Sequence, residues 1–147
     1  VPGLAGQGKM GKSNGEADCI YLSDSETVIR KKVMRAVSDS GPTEMNQPKP
    51  EPIQNLFDLM KVVSTSDTLQ HFDDLYNRCE IRYGDFKKQL AEDMVLATND
   101  VRSRIEEISN DDAYIAKVAK MGAEKASESA RKTLREVREI IGIKRFY

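Results

Sequence analysis

Residues 85–109 read DFKKQLAEDMVLATNDVRSRIEEIS. Phe86, Leu90, Met94, Ala97, Val101, Ile105 and Ile108 recur in this stretch at spacings of three and four, which places them on one face of an α-helix. The spacing predicts a single amphipathic helix over 85–109, ended by Ser109-Asn110, a pair that also caps the next helix. That last helix is expected from about Asp111 to Ile141, with Gly142 as its stop. Its stripe is built of small residues, Ala119, Gly122, Ala123, Ala126 and Ala130, before Leu134, Val137 and Ile141. That pattern predicts two helices in close approach within a bundle, in preference to backbone contact with nucleic acid.

Working back from residue 85, Tyr83-Gly84 interrupts the periodicity. Before it, Ile53, Leu56, Phe57, Met60 and Val63 predict one helix, and Leu69, Phe72, Leu75 and Tyr76 predict a second with Ser66 as its N-cap. Residues 40–52, SGPTEMNQPKPEP, hold four of the five prolines and form a linker or surface loop. Ahead of that loop, a capping box Ser23-x-x-Glu26 leads into Val28, Ile29, Val33, Met34 and Val37, a helix ending near Ser38. Arg30, Lys31, Lys32 and Arg35 make its outer face basic, first of all a solvated face, with a share in steering a phosphate-bearing ligand as the functional alternative. The fold expected is therefore all-α, an antiparallel bundle of about five helices.

The amino-terminal stretch is of another kind. Between Gly3 and Gly15 lie five of the nine glycines, around Gly8-Lys9-Met10-Gly11-Lys12-Ser13. Glycine lets the backbone approach a ligand closely, so amides can face phosphate oxygens while Lys9 and Lys12 supply charge. Gly6 to Ser13 is a literal match to the P-loop pattern, which would set Lys12 on terminal phosphates and Ser13 on magnesium. A P-loop also needs an apolar strand before it and a helix opening at the lysine, whereas Val1-Pro2-Gly3-Leu4 precedes and Asn14-Gly15 follows.

Lys9-Met10-Gly11-Lys12-Ser13 also resembles the KMSKS loop of class I aminoacyl-tRNA synthetases, with Gly11 where that family usually has serine. The likeness extends through Pro2 to Met10, Ile20 to Val33, Asn55-Leu56 and Tyr83-Gly84-Asp85-Phe86-Lys87 to the closing Gly122-Ala123-Glu124-Lys125-Ala126 and Ala130 to Arg138. The whole series resembles the carboxyl-terminal part of bacterial-type tryptophanyl-tRNA synthetases; Glu51-Pro52 departs from the Pro-Gly usual there. The resemblance implies residues 1–22 as phosphate loop and connector of a catalytic domain, 23–52 as linking helix and Pro-rich loop, and 53–147 as an anticodon-recognition-type helical domain. It implies that the chain is a fragment whose glycine loop is mobile and belongs to a Rossmann-type domain not included, so that it is expected to be inactive alone.

What the resemblance implies for chemistry is activation of tryptophan by ATP, with Mg2+, followed by transfer to tRNA. Lys12 then meets the leaving pyrophosphate, Lys9 is a secondary contact, and Met10, Gly11 and Ser13 complete the ATP-binding loop. The parent is expected to be a homodimer through its catalytic domain. A tyrosine-specific relative and a P-loop nucleotide-binding protein remain the alternatives, together with a helical interaction module whose glycine arm is disordered.

Charge narrows the tRNA surface. Residues 62–116 hold six Lys or Arg against twelve Asp or Glu, net −6, and 117–147 hold nine against four, net +5. A polyanion binds through neutralised phosphates. Lys117, Lys120, Lys125, Arg131, Lys132, Arg135, Arg138, Lys144 and Arg145 form the basic end, and Arg131, Lys132, Arg135 and Arg138 are the contact candidates. About half of the nine are expected to pair with Glu124, Glu128, Glu136 and Glu139 at i,i+4 spacing. Lys87, Lys88 and the Arg78–Arg82 turn are the surface to turn to next. Cys19 and Cys79 lie far apart without a neighbouring histidine, and the lone His71 sits among polar and acidic residues. No metal site and no nucleophile–base pair is expected. No run approaches the ~18 apolar residues of a membrane helix, and no leader is apparent, so a cytoplasmic location is expected.

Overall fold

The structure, a computed structural model, describes residues 1–143, and of Lys12 the backbone alone. The periodic segments fold as the spacing dictates. Five α-helices follow one another among the described residues: α1 (Glu26–Arg35), α2 (Glu51–Val63), α3 (Ser66–Asn77), α4 (Tyr83–Ser109) and α5 (Asp112–Ile140). The all-α class is thus the one expected. Contacts gather into two units, Val1–Ser103 and the chain from Arg104 onward.

Within the first unit the core is aromatic. Phe57 of α2 stacks on Phe86 of α4 with ring centroids 4.7 Å apart. Phe72 of α3 meets Phe86 edge-on at 5.2 Å, and Tyr76 meets Phe57 edge-on at 6.0 Å, geometries that suit the ring quadrupoles. Around them pack Ile29 and Val33 of α1, Ile53, Leu56, Leu59 and Met60 of α2, and Leu90, Ala91, Met94 and Val95 of α4. Lys49, from the Pro-rich loop, lays its stem over this cluster. Its ammonium lies 4.7 Å from the ring centroids of Phe57 and of Tyr76 and 2.6 Å from Asp73, so the charge stays paired while the methylenes cover aromatic faces.

Helix ends depart from expectation where a local pattern had competitors. Ser25, not Ser23, is the N-cap of α1, and its side chain makes no capping bond. Asp24 turns instead to the Tyr21 amide and the Lys32 ammonium. Helix α1 ends at Arg35, and of its apolar residues only Ile29 and Val33 are buried. Thr65, one residue before the expected Ser66, caps α3 by accepting from the Thr68 amide at 3.2 Å. Pro52 lies in the first turn of α2, where its missing N–H costs nothing, so that helix starts at Glu51 rather than Ile53. Gly84 falls inside the first turn of α4, and the break lies just before it, at Cys79 with φ of 60°.

Helix α5 gives the largest difference. Every residue from Asp112 to Ile140 is exposed, including the small-residue stripe expected to pack against a neighbour. Periodicity identifies a face, and burial needs an occupant for that face as well. The expected i,i+4 ion pairs to Glu124, Glu128, Glu136 and Glu139 do not form among the described residues; the ion pairs lie between residues 24 and 107. Burial therefore separates two apolar truncations. Phe86→Ala should lower the stability of the chain by about 3–5 kcal/mol in urea unfolding, as for other buried aromatic truncations. Leu134→Ala, half exposed on α5, should stay within about 0.5 kcal/mol of wild type.

Candidate functional site

The glycine stretch is folded, and backbone hydrogen bonds draw it into a loop. Pro2 and Lys9 form an antiparallel bridge, the Gly3 amide donates to the Gly8 carbonyl at 3.2 Å, and the Met10 amide donates to the Val1 carbonyl at 2.9 Å. The turn between them requires positive φ at Gly6 (86°) and Gly8 (68°), conformations that L side chains rarely adopt. Lys12–Asn14 is a single 3-10 turn, closed by the Asn14 amide on the Gly11 carbonyl at 3.1 Å. No α-helix follows before Glu26. A P-loop would put its lysine at the N-terminus of a helix, with amides aimed at phosphate, and that arrangement is missing here.

Of the expected site residues, Lys9 and Ser13 are exposed and Met10 and Gly11 are half-buried, while the side chain of Lys12 lies outside the described residues. The chain brings Lys9, Met10, Gly11 and Ser13 together on one loop. Met10 also serves the fold: it packs against the core and its Sδ accepts from the Ile20 amide at 3.4 Å. Arg131, Lys132, Arg135 and Arg138 share exposed α5, remote in sequence from the loop; Lys144 and Arg145 lie outside the described residues. Among the described residues no three His, Cys, Asp or Glu gather as a metal-binding set. Cys19 is buried and Cys79 exposed, both as thiols, and His71 is exposed with its ring 5.2 Å from that of Phe72.

The basic run on α1 divides between structure and surface. Arg30 donates to Glu92 of α4 at 2.8 and 2.9 Å and to Glu26 at 2.9 Å. These charge-assisted bonds hold the Glu92 carboxyl below its usual range. Lys32 donates to the Cys19 carbonyl at 2.9 Å and to Asp24 at 2.7 Å, and lies 4.7 Å from the Tyr21 ring centroid. Lys31 and Arg35 remain exposed.

Leu4 fastens the loop to the helices. Leu4 is buried in the core, and its carbonyl accepts from the Val37 amide at 3.1 Å, just past the end of α1. That segment is held in turn by Lys87 of α4, whose ammonium donates to the Ala36 carbonyl at 2.7 Å and to Ser38 Oγ at 2.8 Å. Lys87 is therefore not a nucleic-acid contact, as its place on the second candidate surface implied. It is buried, whereas the neighbouring Lys88 is exposed.

The comparisons agree on one kind of protein. A family model described as tRNA synthetases class I (W and Y) matches residues 1–99. The chain is 56% identical over 144 residues to the tryptophan–tRNA ligase of Porphyromonas gingivalis, covering 98% of this chain and 43% of that protein. It is 34% identical over 147 residues to that of Clostridium longisporum, covering 99% and 42%. The tryptophanyl-tRNA synthetase of Campylobacter jejuni, solved with ADP and tryptophan, superposes with a TM-score of 0.77 at 26% identity, covering 97% of this chain and 43% of that one. The chain thus spans less than half the length of the relatives it matches.

Burial lowers the Lys87 pKa from its usual value, because the ammonium loses hydration and has only neutral acceptors beside it. Between the lowered folded value and the usual 10.5 the unfolded chain binds the extra proton, so stability gains from raising the pH. The stability difference between wild type and Lys87→Met, followed by urea unfolding from pH 7 to 10.5, should shift toward wild type as pH rises. A flat difference would mean that the ammonium is hydrated.

Proposed function

The chain belongs to the class I tRNA synthetases of the tryptophan and tyrosine group, and on that premise we propose that it is the carboxyl-terminal part of a tryptophan–tRNA ligase. The observation that carries the choice of amino acid is the 56% identity to a tryptophan–tRNA ligase across nearly the whole chain. In this reading residues 1–22 are phosphate loop and connector, 23–52 link, and 53–147 form the helical domain that recognises the anticodon. The ligase works in the cytoplasm as a homodimer through its catalytic domain. Among the described residues no helix is long and apolar enough to cross a membrane.

The reaction begins when the tryptophan carboxylate attacks the α-phosphorus of ATP, breaking its bond to the bridging oxygen. Pyrophosphate leaves with growing negative charge, and the aminoacyl group then passes from the adenylate to tRNA with AMP as the leaving group. ATP is a substrate here, and the Mg2+ that accompanies it is carried by its phosphates. The chain's own share is electrostatic. Lys12 stabilises the departing pyrophosphate, Lys9 adds a second contact, and Gly11 and Ser13 line the path of the phosphates. The Met10 amide is already spent on Val1 and its side chain on the core and the Ile20 amide, so what that residue offers the adenine end of ATP is its carbonyl. Closure of the loop concentrates this charge on the transition state rather than on bound ATP.

In a full-length ligase carrying this chain, Lys12→Ala should slow single-turnover adenylate formation about 10²–10³-fold, roughly 2.7–4 kcal/mol, the scale of one preorganised contact. Tryptophan affinity should hardly change, and an unaltered adenylate rate would remove Lys12 from the reaction.

The basic face of α5 is the proposed tRNA surface, because Arg131, Lys132, Arg135 and Arg138 are exposed there. Replacing Arg131, Lys132 and Arg135 by glutamate should weaken tRNA binding and flatten the plot of log K against log salt, with adenylate formation preserved. An unchanged slope would return α5 to the role of a solvated helix.

A further inference from the structure

Asp18 is buried, 2% exposed, without forming an ion pair among the described residues. Its carboxylate is met by neutral donors. Oδ1 accepts from the Ala5 amide at 2.7 Å and Oδ2 from Asn14 Nδ2 at 3.2 Å. The backbone of the same residue donates to the Gly15 carbonyl and accepts from the Leu4 amide, each at 3.2 Å. Gly3 makes room for it: a Cβ there would stand 2.3 Å from Oδ1 and 2.6 Å from Oδ2. Two positions fifteen residues apart in the chain therefore form one carboxylate seat.

Asn14 carries the connection onward. Its amide nitrogen donates to Asp18 and also to the Lys9 carbonyl at 3.0 Å. The line Ala5–Asp18–Asn14–Lys9 thus spans the mouth of the glycine loop and reaches the peptides on either side of its basic residues. Burying a carboxylate costs free energy unless its lone pairs are satisfied, and charge-assisted bonds to a backbone amide and a carboxamide offset that cost. An apolar residue would fill the seat without the cost but would bind neither Ala5 nor Asn14.

We propose that Asp18 is a positioning residue of the ATP loop, acting through Ala5, Asn14 and the Lys9 carbonyl to hold the backbone that carries Lys9 and Lys12 in one arrangement. This rests on the reading of Lys9–Ser13 as that loop. Asp18 touches neither substrate nor reacting atoms; it acts on the placement of the residues that do, and small misplacements of such groups cost large factors in rate.

The test uses a full-length ligase carrying this chain. Asp18→Asn is nearly isosteric and keeps an acceptor for Ala5, but it presents a donor to the donor of Asn14. Asn14→Ala, at an exposed position, removes the same link without entering the core. Each should slow adenylate formation about tenfold to a hundredfold. The KM for tryptophan and the affinity for tRNA should be unchanged, as should the thermal midpoint of Asn14→Ala. The double variant should be no slower than the worse single one, because both break one link. Deuterium exchange without ATP should quicken across residues 9–14 in both single variants, and in Asp18→Ala at the Ala5 amide as well.

Normal adenylate rates in both single variants would overturn the proposal, whatever the exchange shows. So would rate losses that add, or losses that extend equally to tryptophan KM and stability, which would mark a merely structural residue. If the wild-type protein itself lacks tryptophan-dependent ATP–pyrophosphate exchange, the functional reading fails first. The deuterium exchange still separates that failure from the absence of the clamp.

Discussion

The stack of Phe57 on Phe86 is the constraint from which the first unit is built. The two rings come from helices separated by α3 in sequence, and α3 closes on them through Phe72 and Tyr76. Once these four rings are placed, Lys87 comes one residue after Phe86 and points to the end of α1, while Lys49 covers Phe57 and Tyr76 from the loop side. A loss of ring packing would therefore release two buried or half-buried lysines together with the apolar contacts. Polar placement depends on apolar packing throughout this unit.

The dependence continues outward to the glycine loop. Leu4 enters the core from the loop, and its carbonyl binds Val37, the segment that Lys87 holds. Core packing sets Lys87, Lys87 sets the end of α1, and that end sets Leu4. From Leu4 the order passes to Asp18 through the pairing of its amide with the Asp18 carbonyl, and then to Asn14 and Lys9. Beyond the core each link is a hydrogen bond, worth roughly one to three kilocalories per mole net with the charged ones at the upper end, so the chain transmits position rather than large energies.

The helices were legible because a period of three to four needs no tertiary knowledge. Phe86, Leu90 and Met94 read as one face and are buried as one face. Their continuation, Ala97 and Val101, reads identically and is exposed, since the pattern does not say where cover ends. Caps were less legible: Ser23, Ser25, Thr65 and Ser66 are equivalent candidates until the backbone selects one. The lysines of the loop were visible as letters, and so was their resemblance to a known loop. Asp18, Asn14 and Lys87 were not, because what distinguishes each is a partner elsewhere: Ala5, Lys9 and Ala36. The only local trace is Gly3, and a glycine within a glycine-rich stretch does not announce that it makes room for a carboxylate.

Under the proposed function the loop must satisfy two opposed demands. Its base must be fixed, so that two ammonium groups meet the same phosphates at each turnover, and its tip must take up ATP and release pyrophosphate. The polar bonds divide accordingly. Between Val1 and Met10 the backbone is paired across the hairpin, and at Gly15 and Asp18 it is paired again. Between those anchors, Lys12–Asn14 keeps one 3-10 bond of its own, with the Asn14 side chain as the tether. Gly11, where the KMSKS pattern that the loop resembles has serine, leaves this least-paired stretch without a side chain, and a Cβ there would meet nothing nearer than 3.9 Å. The glycine therefore relieves no clash; its effect is on backbone freedom at the turn. A glycine at that position makes the external tether through Asn14 and Asp18 a larger share of what orders the two lysines.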